Sequence, residues 1–355
     1  MRIFILSFLF FVSLYSFGQV ELNADGPGNT YSLITSILAP GFNPIETPDC
    51  SHTSFGEHID EIFDSTLNTH VFRFHIHTTD DNDRCINFDR QRNEIKTYDK
   101  SADNLLGIEN ETIIYKWKFK LENGFQSSPN FTHLHQLKSV GGSLASMPMY
   151  TLTTRKGNPD RLELRYAETD TQITLTQTDL APFVGTWLEV TETIKYGTSG
   201  NYNIEIKKVE DNTTLLAYTN NNIINWRSGA DFVRPKWGIY RSLLNDQDLR
   251  DEIVSFANFS IEEVNILSIN DNSLNSDILI IYPNPAKNII YLNNIPPNTT
   301  SLQVFTLDSR KIIDKTIGNN LEEKLDISSL SNGTYILNLL GKQINLSKLI
   351  IISNK

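Results

Sequence analysis

Three short stretches of this sequence gather polar, ionisable side chains on one face of a strand. In Arg92-Asn93-Glu94-Ile95-Lys96 a period of two puts Arg92, Glu94 and Lys96 together and turns Ile95 the other way. In His133-Leu134-His135 both histidines share a face, with Leu134 behind. In Lys236-Trp237-Gly238-Ile239-Tyr240 the residues Lys236, Gly238 and Tyr240 share a face, while Trp237 and Ile239 can fill a core. Gly238, lacking a Cβ, would let a ligand approach the backbone closely.

Taken singly, each stretch reads as ordinary solvated strand surface. Taken together, they offer arginine, histidine, lysine and tyrosine, the set that β-elimination in a uronic-acid polymer requires. The C5 proton of a uronate lies next to a carboxylate and is hardly acidic while that group keeps its charge. A cation must neutralise it and stabilise the developing enolate. Neutral histidine suits the base near pH 7. Tyrosine can protonate the leaving glycosidic oxygen, helped by nearby cations that lower its pKa. The reaction needs no metal or organic cofactor in principle.

Flanking residues extend the set. Arg73, His75 and His77 share one face of 71–77, opposite Phe72, Phe74 and Ile76, and could line the same cleft. Lys138 follows His135 closely. Simple alternation puts it on the opposite face, but a bulge would bring it in and make it an alternative base. Arg241 and Arg155 could bind acidic sugars at flanking subsites. His-x-His on a strand can ligate zinc, but no carboxylate or third histidine sits at a convincing spacing, so no metal ligand is assigned. A structural calcium ion remains compatible with the sequence.

The elements that must position these residues are strands. Residues 111–121 (ETIIYKWKFKL) alternate cleanly, with Ile113, Tyr115, Trp117, Phe119 and Leu121 on one face and Lys116, Lys118 and Lys120 on the other. Similar alternation recurs at 71–77, 161–166, 186–196, 202–209 and, less strictly, 252–264. Turn signals separate these runs: Asn123-Gly124, Gly141-Gly142, Gly157-Asn158-Pro159, Gly197 and Ser199-Gly200. No internal repeat is visible. Residues 20–265 therefore read as an all-β jelly roll, since about 245 residues is large for an immunoglobulin-like module.

The three motifs resemble those of jelly-roll polysaccharide lyases, notably the alginate lyase type, whose pattern is R-[TS]-E-L-R, then Q-I-H, then K-x-G-x-Y. The resemblance spans most of residues 70–262 and is strongest at the motifs. It implies Arg92 as the carboxylate-binding arginine, with Glu94 and Lys96 at the later positions of that motif. It implies His135 as the proton-abstracting histidine, with His133 in the glutamine place. Tyr240 takes the catalytic tyrosine position and Lys236 the preceding lysine. Asn93, Lys96 and His133 depart from the pattern, which leaves glucuronan, ulvan and heparin-type substrates as open as alginate.

Both ends of the chain concern transport. Residues 1–19 read as a signal peptide: Arg2, an apolar run from Ile3 to Phe17 too short to span a bilayer comfortably, and a small-residue exit at Ser16-Phe17-Gly18 before Gln19. Residues 266–278, rich in Asn, Ser and Asp, read as a linker. Residues 279–355 resemble the C-terminal sorting domain of type IX secretion, a Bacteroidetes export route. The stretches that carry this are 279–285 (LIIYPNP), 304–310, 325–330 and 332–337. The resemblance implies a secreted or surface-attached protein that engages the type IX machinery, with no stable membrane span. In oxidising surroundings the two cysteines, Cys50 and Cys85, are expected to form a disulfide.

The formal net charge of −11 argues against nucleic acid as a partner, though a local basic cleft is compatible with it. Three rival functions compete with the lyase reading. A glycoside hydrolase needs two carboxylates flanking the bond, and Glu189 and Glu192 fall on opposite faces of their strand. A non-catalytic carbohydrate-binding module would present aromatic platforms rather than cations with a tyrosine. An adhesive surface protein is compatible with the sorting module.

Overall fold

A computed structural model describes residues 19–264, 279–307, 310–318, 320–342 and 344–353. The expected signal peptide and linker lie outside the described residues, apart from Gln19. The chain divides into two compact units at 265/266.

The first unit is an antiparallel sandwich. Its elements in chain order are β1 (Val20–Leu22), α1 (Thr30–Leu38), β2 (Ile45–Glu46), β3 (Ile59–Asp64), β4 (Thr69–Ile76), β5 (Arg90–Lys96), β6 (Thr112–Leu121), β7 (Thr132–Val140) and β8 (Tyr150–Arg155). There follow β9 (Arg161–Tyr166), β10 (Ile173–Asp179), β11 (Trp187–Lys195), β12 (Gly200–Lys208), β13 (Thr214–Ile223), β14 (Phe232–Ser242) and β15 (Glu252–Val264). One sheet runs β13-β12-β11-β6-β15-β4-β3, with β1 added to β15. The other runs β10-β9-β8-β7-β14-β5-β2. Neighbours distant in sequence, such as β6 with β15 and β5 with β14, close the jelly roll.

Alternation decides which face meets the core. Ile113, Tyr115, Trp117, Phe119 and Leu121 of β6 are all buried, and the lysines between them are partly exposed. They pack with Phe72 and Phe74 from β4, Phe256 from β15 and Trp237 from β14. Trp117 and Trp237 meet edge to face at 6.0 Å across the two sheets. Gly141 and Gly142 turn the chain out of β7 at φ of +79° and +73°, where a side chain would be strained. The disulfide Cys50–Cys85 is formed and staples the loop before β3 to the loop before β5.

The second unit holds β16 (Ile280–Tyr282), β17 (Ile289–Asn293), β18 (Thr299–Thr306), β19 (Lys311–Thr316), β20 (Glu322–Asp326), β21 (Gly333–Gly341) and β22 (Ile344–Ile352). They form two small sheets, β16-β17-β20 and β19-β18-β21-β22, around a core that includes Ile290, Leu292, Val304, Leu337 and Ile350. Among the described residues no helix is long and apolar enough to cross a membrane.

Candidate active site

The face of the β7-β14-β5-β2 region turned away from the core carries the ionisable side chains. Register explains the selection, because directly opposed residues of an antiparallel pair share a face. Tyr240 lies opposite Arg92, Gly238 opposite Glu94 and Lys236 opposite Lys96, so the pairing of β14 with β5 joins the two period-two faces into one. On the other side of β14, Tyr240 lies opposite His133, Lys236 opposite Gln136 and Arg234 opposite Lys138.

The β7 register corrects the histidine assignment. His135 lies opposite Trp237, on the core face. It packs 4.4 Å from the Trp117 ring and pairs through Nε2 with Glu192 at 2.9 Å, and Nδ1 lies 3.0 Å from the Lys236 carbonyl oxygen. The cause is a bulge at Leu134: His133 pairs with Thr153 of β8, but His135 pairs with the very next residue, Leu152. One extra residue turns both Leu134 and His135 inward. It also brings Gln136 and Lys138 onto the face of His133, so Lys138 is in the site after all. His135 is therefore a core residue, and His133 is the histidine of the cleft.

Tyr240 stands at the centre of this face. Its ring centroid lies 5.8 Å from that of His133 and 5.1 Å from that of Phe131. The Arg92 guanidinium sits over the ring at 3.7 Å. Arg90 donates to the Tyr240 hydroxyl at 3.0 Å, which leaves the hydroxyl hydrogen free to be given elsewhere. Arg90 shares the face of Arg92, Glu94 and Lys96, so it was legible in the same period-two pattern but lay one step before the motif.

Below them runs a charge network. Arg92 donates to Asp83 at 2.9 Å and to Glu94. Lys236 pairs with Glu94 at 2.8 Å and with Glu46. Lys96 and Arg84 each reach Glu46 at 2.8 and 2.7 Å. Gln136 donates to Glu94. Burial pushes the Glu46 carboxyl up, but Lys236, Arg92 and Lys96 outweigh it and hold it well below the usual range. Arg92 is thus surrounded by carboxylates, with its guanidinium over the Tyr240 ring. Arg90 at the mouth is 35 % exposed and pairs with the equally peripheral Asp89 at 2.7 Å. Lys138, partly exposed, makes no ion pair among the described residues.

Burial sets the protonation of the two candidate bases. His133 is driven down to about 3 by burial, with Arg92 adding to the effect and Glu94 opposing it. It makes no hydrogen bond among the described residues, and its Nδ1 is closed off from solvent, which leaves Nε2 to meet a ligand. Lys138 is pushed down to about 8 by burial and by repulsion from Lys236 and Arg92.

Other expected contacts fall elsewhere. Arg73 and His75 belong to the opposite sheet, whose inward face is taken by Phe72, Phe74 and Ile76, and His77 begins the loop that follows, so they do not line the cleft. Arg73 and His75 pair with Asp60, and His77 lies 3.1 Å from Asp81. Arg241 is fully buried; it donates to Gln91 and to the Arg250 carbonyl, which removes it from substrate binding. Arg155 pairs with Glu163 at the end of β8. Gly238 serves the fold rather than a ligand: at φ +145° a Cβ would lie 2.1 Å from the Asn93 carbonyl oxygen of β5. Glu192 is buried against His135 and Tyr202, and Glu189 faces out to Lys118, so these two acids cannot flank one bond.

Residues 280–353 match the family described as the secretion system C-terminal sorting domain. The protein is accordingly secreted or attached to the cell surface by type IX secretion. No curated protein matches the chain. Among solved structures, the chain is similar to an endo-β-1,4-glucuronan lyase from the fungus Trichoderma reesei, at 14 % identity and a TM-score of 0.42 over 58 % of this chain and 87 % of that one. It is also similar to the marine PL-14 alginate lyase from Aplysia kurodai, at 14 % identity and a TM-score of 0.49 over 70 % of this chain and 100 % of that one. An alginate lyase from Pseudomonas aeruginosa is similar at 14 % identity and a TM-score of 0.39, over 57 % and 86 % of the two chains.

Proposed function

We propose that the first unit is an exported polysaccharide lyase that cleaves a uronic-acid-containing polymer by β-elimination. The observation that carries this reading is the pairing of a neutral His133 with Tyr240 on a cation-rich face. In the proposed reaction Arg90, which reaches the Tyr240 hydroxyl, meets the substrate carboxylate and offsets its charge, which makes the C5 proton acidic, while Lys138, farther along the cleft, meets an acidic sugar at a flanking subsite. His133 Nε2 takes that proton. The electron pair forms the C4–C5 double bond as the C4–O bond breaks, and Tyr240 gives its hydroxyl proton to the leaving oxygen. Arg92 holds the Tyr240 ring from below. Alginate, glucuronan, ulvan and heparin-type chains all carry the required uronate.

The test is incubation of the folded protein with each of these polymers while ultraviolet absorbance from the new double bond is followed. Growth on at least one is expected, and it should be lost in Tyr240→Phe with the fold intact. Absence of signal on every uronate polymer overturns the lyase reading. Near-normal turnover in Tyr240→Phe removes Tyr240 from the mechanism.

A further inference from the structure

Outside the cleft, three imidazoles converge on one buried carboxylate. His52 Nδ1 lies 3.0 Å from Asp81 Oδ1, His58 Nε2 lies 3.1 Å from the same oxygen, and His77 Nδ1 lies 3.1 Å from Asp81 Oδ2. The four ligand atoms all lie within 4.8 Å of one another. A tetrahedron with bonds of about 2.1 Å separates its ligands by ~3.4 Å, so only small side-chain shifts would close these atoms around one ion. The Asp81 and His58 side chains are fully buried.

The surroundings match those of a metal centre. His58 uses its other nitrogen, Nδ1, to donate to Asp49 at 2.7 Å, and Asp49 in turn accepts from the Tyr31 hydroxyl at 2.9 Å. A carboxylate behind a ligating imidazole fixes its tautomer and aims the lone pair of the other nitrogen at the ion. Phe55 covers the cluster, its ring 4.7 Å from His58 and 4.4 Å from His77. The Cys50–Cys85 disulfide joins the two loops that supply the ligands.

We propose that His52, His58, His77 and Asp81 form a structural zinc site. Three imidazoles and one carboxylate are a borderline, four-ligand set that suits Zn²⁺, whereas Ca²⁺ takes oxygen ligands. Four protein ligands close the coordination sphere, which marks a site that holds structure rather than one that activates water. What it holds is the loop after β4. Two residues past Asp81, Asp83 receives Arg92, and Arg84 reaches Glu46, so the ion would anchor the floor of the cleft from behind.

The experiment uses the purified full-length protein, stripped with dipicolinate and then titrated with zinc alone or calcium alone. Bound metal is counted by mass spectrometry and the melting temperature is followed. One zinc per chain, a raised melting temperature and no response to calcium are expected. His58 and Asp81 are buried, so the variants are His52→Ala and His77→Ala, whose side chains are 15 % and 18 % exposed. Each should lose stoichiometric zinc while keeping its far-ultraviolet circular dichroism; His133→Ala in the cleft should keep it. Failure of the folded wild type to take up zinc, a preference for calcium, or undiminished zinc in both loop variants overturns the proposal. Metal content is read without reference to lyase activity, so this result and the lyase test stand apart.

Discussion

His133 and Tyr240 face each other across β7 and β14 with ring centroids 5.8 Å apart, while His135, two residues on, is folded into the core against Trp117 and Glu192. A bulge at Leu134 separates the two fates. The two histidines therefore answer to different physics. One is held neutral beside a hydroxyl in a cationic cleft. The other satisfies a buried carboxylate between two sheets.

That contrast gives a paired expectation. His133→Ala should lower kcat by about 10²–10⁴, the usual contribution of a positioned general base, with little change in melting temperature. His135→Ala leaves Glu192 short of a partner and opens space beside two tryptophans. A cost of at least ~1–3 kcal/mol is expected from the unsatisfied group alone. Thermal unfolding of both variants, beside steady-state kinetics, distinguishes them; a stable, inactive His135→Ala reverses the assignment.

The two candidate bases predict different pH profiles. His133, depressed to about 3 by burial, stays neutral from pH 5 to 9, so kcat/KM should show no loss between pH 7 and 5. Were Lys138 the base, activity would rise with a midpoint near 8. A profile of kcat/KM from pH 4 to 10 decides between them.

The same depression carries a stability consequence. The unfolded chain protonates this histidine near its ordinary value of about 6.5, the folded chain only near 3. Between those values the unfolded state binds more protons, so stability falls as the pH is lowered through this window. Denaturant melts at pH 7, 5 and 4 should show that slope, and His133→Gln should flatten it.

Removing the disulfide with Cys50→Ser/Cys85→Ser should cost ~3–4 kcal/mol by the chain-entropy estimate for a 35-residue separation. Activity should fall further than stability alone explains. The freed loop carries Asp83, which holds Arg92 beneath Tyr240. Chemical denaturation and kinetics at a temperature where the variant stays folded separate the two effects.

Gly238→Ala should be among the most damaging single-atom additions in the cleft. The new Cβ would meet the Asn93 carbonyl at 2.1 Å, at a φ that side chains rarely adopt, and would force β14 from β5. A loss of both melting temperature and turnover is expected, since the Tyr240–Arg92 contact spans those two strands. An active, stable Gly238→Ala would restore the reading of Gly238 as a ligand approach.

Much of this protein was determined by sequence alone, wherever the physics is local. Period-two alternation placed Tyr115, Trp117 and Phe119 in the core and lysines outside, and it put Arg92, Glu94 and Lys96 on one face of their strand and Lys236 and Tyr240 on one face of theirs, because a strand without a bulge must alternate; the pairing of those two strands joined the faces. The tail motifs pointed to export, and two cysteines in an exported chain pointed to their bridge. Tertiary structure decided what depends on register and on loops meeting. A single extra residue at Leu134 exchanged His135 for His133 and admitted Gln136 and Lys138, because a one-residue slip moves every later side chain to the other face. Arg73, His75 and His77 alternate as cleanly as the cleft residues, but the strand of the first two lies in the opposite sheet and His77 begins the loop after it. His52, His58, His77 and Asp81 have no telling spacing along the chain; only the loops before β3 and after β4, tied by Cys50–Cys85, bring them around one point.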